Sequence, residues 1–427
     1  MANEEECMPI CRRRAARHMR GADNQSRNHS FWSARSAAYR GAVLNFKKAC
    51  TMTSPRPHAN APHTLTRREL LRCAAWSGLG MAASLSPLSA FSASPAARPD
   101  VIRVGVAQPA TGTPPSFAGS SLAIAHARGW LEESFKPTGT RVEWFFFKGA
   151  GPAVNEALAN RQLDFALQGD LPSIVARSAG LKTRLVLATG VRANIYVGVP
   201  PDSPLKTVSD LRGKRVSLFK GTNMHLPALR LLEANGLSDK DLRLLNLDTA
   251  GYLAALSTRD IDAAIGAMDI LRLRDKGAVR ILYSSKNQSP IYTRQSHVLV
   301  SDEFAGRYPE ATQHLVKAAV EAARWASDES HREEVLRTWA RAGTPYDHWK
   351  EDFDGEPLRV RLNPNFDPFL VSRYKDAVEQ AYRFKLSRAR FDVDQWIDQR
   401  FLKAALNDLS LQSYWPVYQP NGKIMGA

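Results

Sequence analysis

Residues 142–172 read VEWFFFKGAGPAVNEALANRQLDFALQGDLP. An apolar run at 142–147 leads into a Gly-Ala-Gly-Pro turn at 149–152 and a short helical stretch. A polar turn, a second apolar run at 163–168 and a further turn at Gly169-Asp170 follow. Two buried strands joined through a helix make a parallel βαβ unit, so both strands end at one edge of the sheet. The 149–152 and 169–172 turns then lie side by side. Each opens a helix with free backbone N–H groups, which suits an anion.

Outward from this unit the same alternation occurs twice. Strands are expected at 101–107, 142–147, 163–168, 183–189 and 194–199, with helices at 120–133 and 173–179. The pattern restarts at Lys214, with strands at 215–219, 242–247, 261–267 and 279–283 and helices at 224–235, 252–257 and 270–276. A strand at 297–300 returns to the first set, and helices at 309–326 and 333–342 close it. The reading is an α/β chain of two lobes, each with a mostly parallel sheet. Lobe 1 spans 98–200, lobe 2 spans 201–290, and 291–345 returns to lobe 1. Residues 343–368 are loop-rich; helices are expected at 371–386 and 394–408, so that 346–427 form a helical C-terminal extension.

An internal echo supports the two lobes. VNEALANRQLDFAL at 154–167 and YLAALSTRDIDAAI at 252–265 align at a constant offset of 98, with Arg161/Arg259 and Asp164/Asp262 matching. Recurrence of βα architecture would give a similar match without common ancestry, and both readings stay open. The two aspartates fall at strand starts, away from the ligand-facing ends, and read as structural.

The formal charge of +16 is unevenly spread. Residues 1–98 hold 15 Lys and Arg against 5 Asp and Glu, and residues 99–427 hold 43 against 37. The folded part is mildly basic, which argues against a nucleic-acid surface. All four cysteines, Cys7, Cys11, Cys50 and Cys73, precede residue 98. This excludes a disulfide framework, a thiolate metal site or a cysteine nucleophile in the remainder. His126, His225 and His297 lack ligand spacing, so neither metal nor cofactor is expected.

Residues 1–97 read as a leader, with Met52 as an alternative start. Thr66-Arg67-Arg68-Glu69-Leu70-Leu71, a mildly apolar run from Cys73 and small residues near 92–97 resemble a twin-arginine export signal, removed on the way to the periplasm. Gly78, Gly80 and Pro87 dilute that run too far for a membrane anchor.

Five segments in order carry a family resemblance: residues 104–108, FKGAGP at 147–152, 163–172, PLKTVSDLRGK at 204–214 and KGTNMH at 220–225. Over residues 101–342 the chain resembles the periplasmic substrate-binding proteins of ABC importers for aliphatic sulfonates, taurine and nitrate. The resemblance implies a bilobed type II binding fold with a hinge. It also implies a monomer that captures a small organic anion and delivers it to an inner-membrane ABC permease. Where such proteins commonly carry Trp-Asp-Pro after the second-lobe strand, this chain has Met268-Asp269-Ile270, which points to a roomier or differently shaped pocket.

A sulfonate-like oxyanion keeps its charge at physiological pH and needs donors, which helix starts supply. The candidate contacts are Gln108, Ser120, Ser121, Gly149, Ala150, Gly151, Gly169, Asp170, Thr222, Asn223, Met224, His225, Met268 and Asp269. Ser121, Thr222 and Asn223 read equally as helix caps, and His225 as a packing residue. Asp170 reads as a cap or as a partner for a ligand amine or hydroxyl. Gly149 and Gly151 read as residues that allow a tight turn. Sulfinate desulfinases and pyrimidine-precursor proteins share the scaffold and supply the alternative functions. The first needs a cysteine that residues 99–427 lack.

Overall fold

The computed structural model describes residues 98–426; the leader and its twin-arginine reading lie outside them. Ten strands form two five-stranded sheets. The first contains β1 (Val101–Val106), β2 (Arg141–Phe146), β3 (Phe165–Gly169), β4 (Thr183–Ala193) and β10 (Arg294–Ser301), in the order β2-β1-β3-β10-β4. The second contains β5 (Tyr196–Val199), β6 (Arg215–Leu218), β7 (Arg243–Leu245), β8 (Ala263–Gly266) and β9 (Arg280–Ser284), in the order β7-β6-β8-β5-β9. In each sheet one strand runs against the rest: β10 between β3 and β4, and β5 between β8 and β9. The other pairings are parallel, as buried apolar strands linked through helices require.

Those two opposed strands are where the chain changes lobe. β4 runs into β5 through Asn194 and Ile195 alone, so the first crossing precedes the expected boundary at 200. The run NIYVGV holds neither a turn residue nor a change of period at that point, because an extended chain passes between sheets without a turn. The second crossing is the segment between β9 and β10.

The two lobes repeat one local design. Asp164 accepts bonds from the Arg103 backbone N–H (2.8 Å) and from its guanidinium Nε and Nη2 (3.0 and 2.8 Å), while Arg103 Nη1 reaches the Arg161 carbonyl. Asp262 does the same for Arg215, whose Nη2 reaches the Arg259 carbonyl. Arg161 and Arg259 both adopt left-handed backbone, with φ of 55° and 62°. The echoed aspartates therefore clamp a strand start to the turn that precedes its neighbour.

Several expected helices are cut short. The stretch at 120–133 divides into Ser121–Ala127 and Trp130–Phe135 at Gly129, whose φ is 65°. The tail helix expected at 394–408 divides into Val393–Trp396 and Gln399–Asp408, because Ile397 bridges to Leu185 and the Asp398 N–H bonds the Leu185 carbonyl on β4. Conversely, residues 343–368 contain a helix, Tyr346–Phe353, that flanking prolines Pro345 and Pro357 disguised as loop.

The lobes touch. A Cβ placed on Gly169, at the end of β3, would stand 2.2 Å from the Asn223 Cβ in the second lobe. A Cβ on Gly151 would stand 2.4 Å from Pro172, so the 149–152 and 169–172 turns do lie side by side. Gly151 is there for close packing. Left-handed backbone in this turn falls on Ala150 (φ 53°) and on neither Gly149 nor Gly151, which corrects their assignment as turn-formers.

Two stability measurements follow from these contacts. Asp164→Ala strands the Arg103 N–H at a part-buried position and should cost about 1–3 kcal/mol in urea unfolding, more than Asp262→Ala at its more exposed site. Gly169→Ala should cost about 1–3 kcal/mol through overpacking, and adding Asn223→Gly should recover most of that loss. No recovery in the double variant would place the strain elsewhere.

Candidate functional site

A cavity of about 500 Å3 lies between the sheets, at the carboxyl ends of β1, β3, β6 and β8. Turns and helix starts from both lobes converge on it: Gly119-Ser120, Ala150-Gly151 and Gly169 from the first, Thr222-Asn223-Met224, Asp248-Thr249 and Met268-Asp269 from the second. Helix starts present N–H groups and the positive end of the peptide dipoles. Two of them are already satisfied by their own acids. Asp248 accepts the Gly251 N–H, and Asp170 Oδ1 accepts the Leu171 N–H, each at 2.8 Å.

Of the fourteen residues expected to meet a ligand, the cavity brings ten together: Gln108, Ser120, Ala150, Gly151, Gly169, Thr222, Asn223, Met224, Met268 and Asp269. Four stand apart. Gly149 is exposed beside the mouth, and Ser121 is buried in the first lobe. His225 is buried behind the turn, where its Nδ1 accepts the Gly221 N–H at 3.2 Å. Burial, then the Lys220 charge, lowers its pKa to about 4, so it stays neutral. Asp170 is buried and absent from the lining; burial raises its pKa to about 6 against the pull of Arg230 and Arg294.

Some of the ten are committed to the scaffold. Gln108 bonds the Ala118 carbonyl and N–H, holding the loop after β1. Thr222 Oγ1 donates to the Phe219 carbonyl and accepts the Met224 N–H. Asp269 accepts Thr344 Oγ1 at 3.2 Å. Asn223 makes no side-chain hydrogen bond among the described residues, which leaves its amide available at the lobe junction.

The sequence reading missed the arginines that line the cavity. Four cationic residues line it: Lys148, Arg272, Arg294 and Arg361. Lys148 is exposed, and Arg361 is neutralised by Asp352 and Glu356 at 3.0 and 2.9 Å. Arg272 donates to the Gly343 carbonyl. Arg294 opens β10 at the second crossing, and its Nε and Nη2 donate only to the Asn194 carbonyl, at 3.3 and 3.1 Å. No carboxylate lies within 4 Å of it among the described residues. Its side chain keeps some contact with the cavity while protein surrounds the charge. Burial lowers its pKa, partly opposed by Asp352 and Asp269. A half-buried guanidinium without a counter-ion carries a desolvation cost, and an entering anion would relieve it. The available signal was the period-2 pattern of β10, where Arg294 and Ser296 share one face and line the cavity.

The C-terminal extension was also missed as part of the site. Trp349, Phe353 and Arg361 all line the cavity, beside Thr344 just ahead of the extension. Asp352, between the two aromatics, accepts bonds from Asn194 Nδ2 (3.1 Å), Tyr196 OH (2.6 Å) and Arg361 Nη2 (3.0 Å).

The raised Asp170 pKa fixes a pH dependence. An acid whose pKa is higher folded than unfolded destabilises the fold above the folded value, and that cost disappears below the unfolded one. The window runs from about 6 down to 3.8. Asp170→Asn should therefore stabilise the protein at pH 7.5 by up to about 3 kcal/mol, with the gain fading towards pH 4. Urea unfolding at both pH values checks this; a gain independent of pH would exclude the carboxylate as its source.

The NMT1/THI5-like family matches residues 120–332. A Bacillus subtilis protein named as an aliphatic sulfonates-binding protein is 26% identical over 299 residues, which cover 68% of this chain and 86% of the relative. The crystal structure of a periplasmic sulfonate-binding protein, SsuA, of a sulfonate ABC transporter from Methylobacillus flagellatus superposes with a TM-score of 0.66 at 29% identity. That match covers 75% of this chain and 97% of the other. The desulfurization enzyme DSZB superposes at a TM-score of 0.56 and 19% identity, over 73% of this chain and all of DSZB, a likeness that shows the fold alone. Over residues 120–332 the chain is thus a member of the NMT1/THI5-like family, and its fold is that of the bilobed periplasmic substrate-binding proteins.

Proposed function

We propose that the protein is the extracytoplasmic solute receptor of an ABC importer. It captures a small organic anion of the sulfonate class between its lobes and presents it to a membrane permease. The observation that carries this reading is Arg294, a half-buried guanidinium that lines the cavity with no carboxylate partner among the described residues. Two helix starts without acids of their own add N–H donors that suit an oxyanion: those of Gly151 and Asn223, which have no acceptor among the described residues. The names of the relatives supply the sulfonate class.

The protein acts as a non-catalytic monomer exported by the twin-arginine route. The desulfinase alternative needs a cysteine, and residues 99–427 contain none. Ser173 and His297 do form a hydrogen-bonded pair at 2.8 Å, with Tyr374 on the other ring nitrogen, yet all three are buried and outside the cavity lining. That chain of groups supports the return of β10 into the first lobe.

Thermal shift across sulfonates, taurine, nitrate and uncharged solutes tests the reading. A ligand at a hundred times its Kd should raise the midpoint by about 5 °C. Arg294→Gln, which keeps a donor for the Asn194 carbonyl, should weaken sulfonate binding by about thirty-fold or more in calorimetry. Response to an uncharged solute alone would overturn the proposal.

A further inference from the structure

The wall that the C-terminal extension adds to the cavity is aromatic and rigidly held. Helix Tyr346–Phe353 is tied to the second lobe by Arg274, which forks onto Glu351 at 2.5 and 2.8 Å, and by His348 Nε2 on Asp275 at 2.6 Å. On the first-lobe side Trp349 packs against Trp339, with ring centroids 5.0 Å apart, and Trp339 Nε1 donates to the Ser120 carbonyl at 3.2 Å. The helix is therefore clamped between the lobes, and Trp349 and Phe353 reach the cavity from fixed positions. The buried Trp349 Nε1 has no acceptor among the described residues.

The cavity also has apolar lining, Met268, Met224, Leu253 and Val191, while the Arg361 guanidinium lies 4.1 Å over the Phe353 ring. At about 500 Å3 the cavity falls in the range that encloses drug-sized ligands, about 300–1,000 Å3. Trp349 and Phe353 are 7% and 2% exposed, so they meet the cavity by ring edges, to which a two-carbon anion would offer little to pack against. A flat ring fixed at one end by its anionic group would pack on those edges, and aromatic edges reward such a ring more than they reward a flexible chain of equal area.

Resting on the anion-receptor reading above, we propose that the preferred ligand is an arylsulfonate-type anion, with its charged group on Arg294 and its ring against the tail-borne wall of Trp349 and Phe353. Specificity is thus set by the C-terminal extension as much as by the two lobes.

Calorimetry of the purified protein with naphthalene-2-sulfonate, octane-1-sulfonate and ethanesulfonate tests this. The naphthalene ligand should bind at least about ten-fold tighter than ethanesulfonate, and tighter than the octane ligand. Trp349→Leu should collapse the naphthalene-to-octane ratio towards one, and Trp349→Phe should restore it. Octane-1-sulfonate binding as tightly as the naphthalene ligand, or a ratio unmoved by Trp349→Leu, overturns the arylsulfonate proposal while the anion receptor stands. The wild-type comparison alone decides this if the leucine variant fails to fold. Silence from all three ligands overturns both readings.

Discussion

The Asp352 carboxylate joins three parts of the molecule that the chain order keeps far apart. It is buried, accepts from Asn194 and Tyr196 at the first lobe crossing, and pairs with Arg361 beyond the tail helix. Burial alone would push its pKa up; Arg361, Tyr196 and Asn194 together bring it below the ordinary value. Such a group must be fully bonded or it destabilises the fold. Satisfying it fixes the crossing strand, the tail helix and the Arg361 side chain in one arrangement, which also sets the positions of Trp349 and Phe353 at the cavity. The extension is thereby built into the hinge.

Arg294 is the counterpart on the second crossing. Its bonds to the Asn194 carbonyl brace one crossing against the other, and its charge has no acidic partner within bonding range among the described residues. Asp352 and Asp269 hold up its charge only from a distance. The same residue thus braces the hinge and, with Arg272, which also lacks a carboxylate partner among the described residues, gives the cavity its positive potential. An anion settling on Arg294 would strengthen the field at the point about which the lobes move, which is where ligand binding must be felt if closure is to follow it.

Much of the fold was legible because it rests on patterns a sequence carries directly. Buried strands alternating with helices gave two mostly parallel sheets, and the offset of 98 correctly paired Asp164 with Asp262 as structural clamps. The strand-end turns were legible for the same reason, so Ala150, Gly169, Asn223 and Met268 do meet at one cavity. What the sequence concealed depends on long-range packing. Gly151 and Gly169 are small because Pro172 and Asn223 approach them, a fact that no local turn rule contains. Arg294 sits in an extended polar stretch whose importance comes only from the crossing beside it. Helix Tyr346–Phe353 carries five charged or histidine side chains between prolines, and three of these, His348, Glu351 and Asp352, have partners in the second lobe or at the hinge.

The tail contacts also determine which lobe motions are cheap. Arg383 pairs with Glu233 at 2.7 Å, and both side chains are about half exposed, so water can replace that pair at little cost. Arg230, only 6% exposed at its side chain, bonds Asp376, Gln380 and the Ile291 carbonyl, and breaking those bonds would leave a buried charge unpaired. On the far side, Arg274 and His348 hold the tail helix through partly exposed partners. Separating the second lobe from the tail therefore costs less at Arg383, Arg274 and His348 than at Arg230. Ligand would enter past an aromatic surface that is already in place, and closure would carry the second-lobe helix starts onto it.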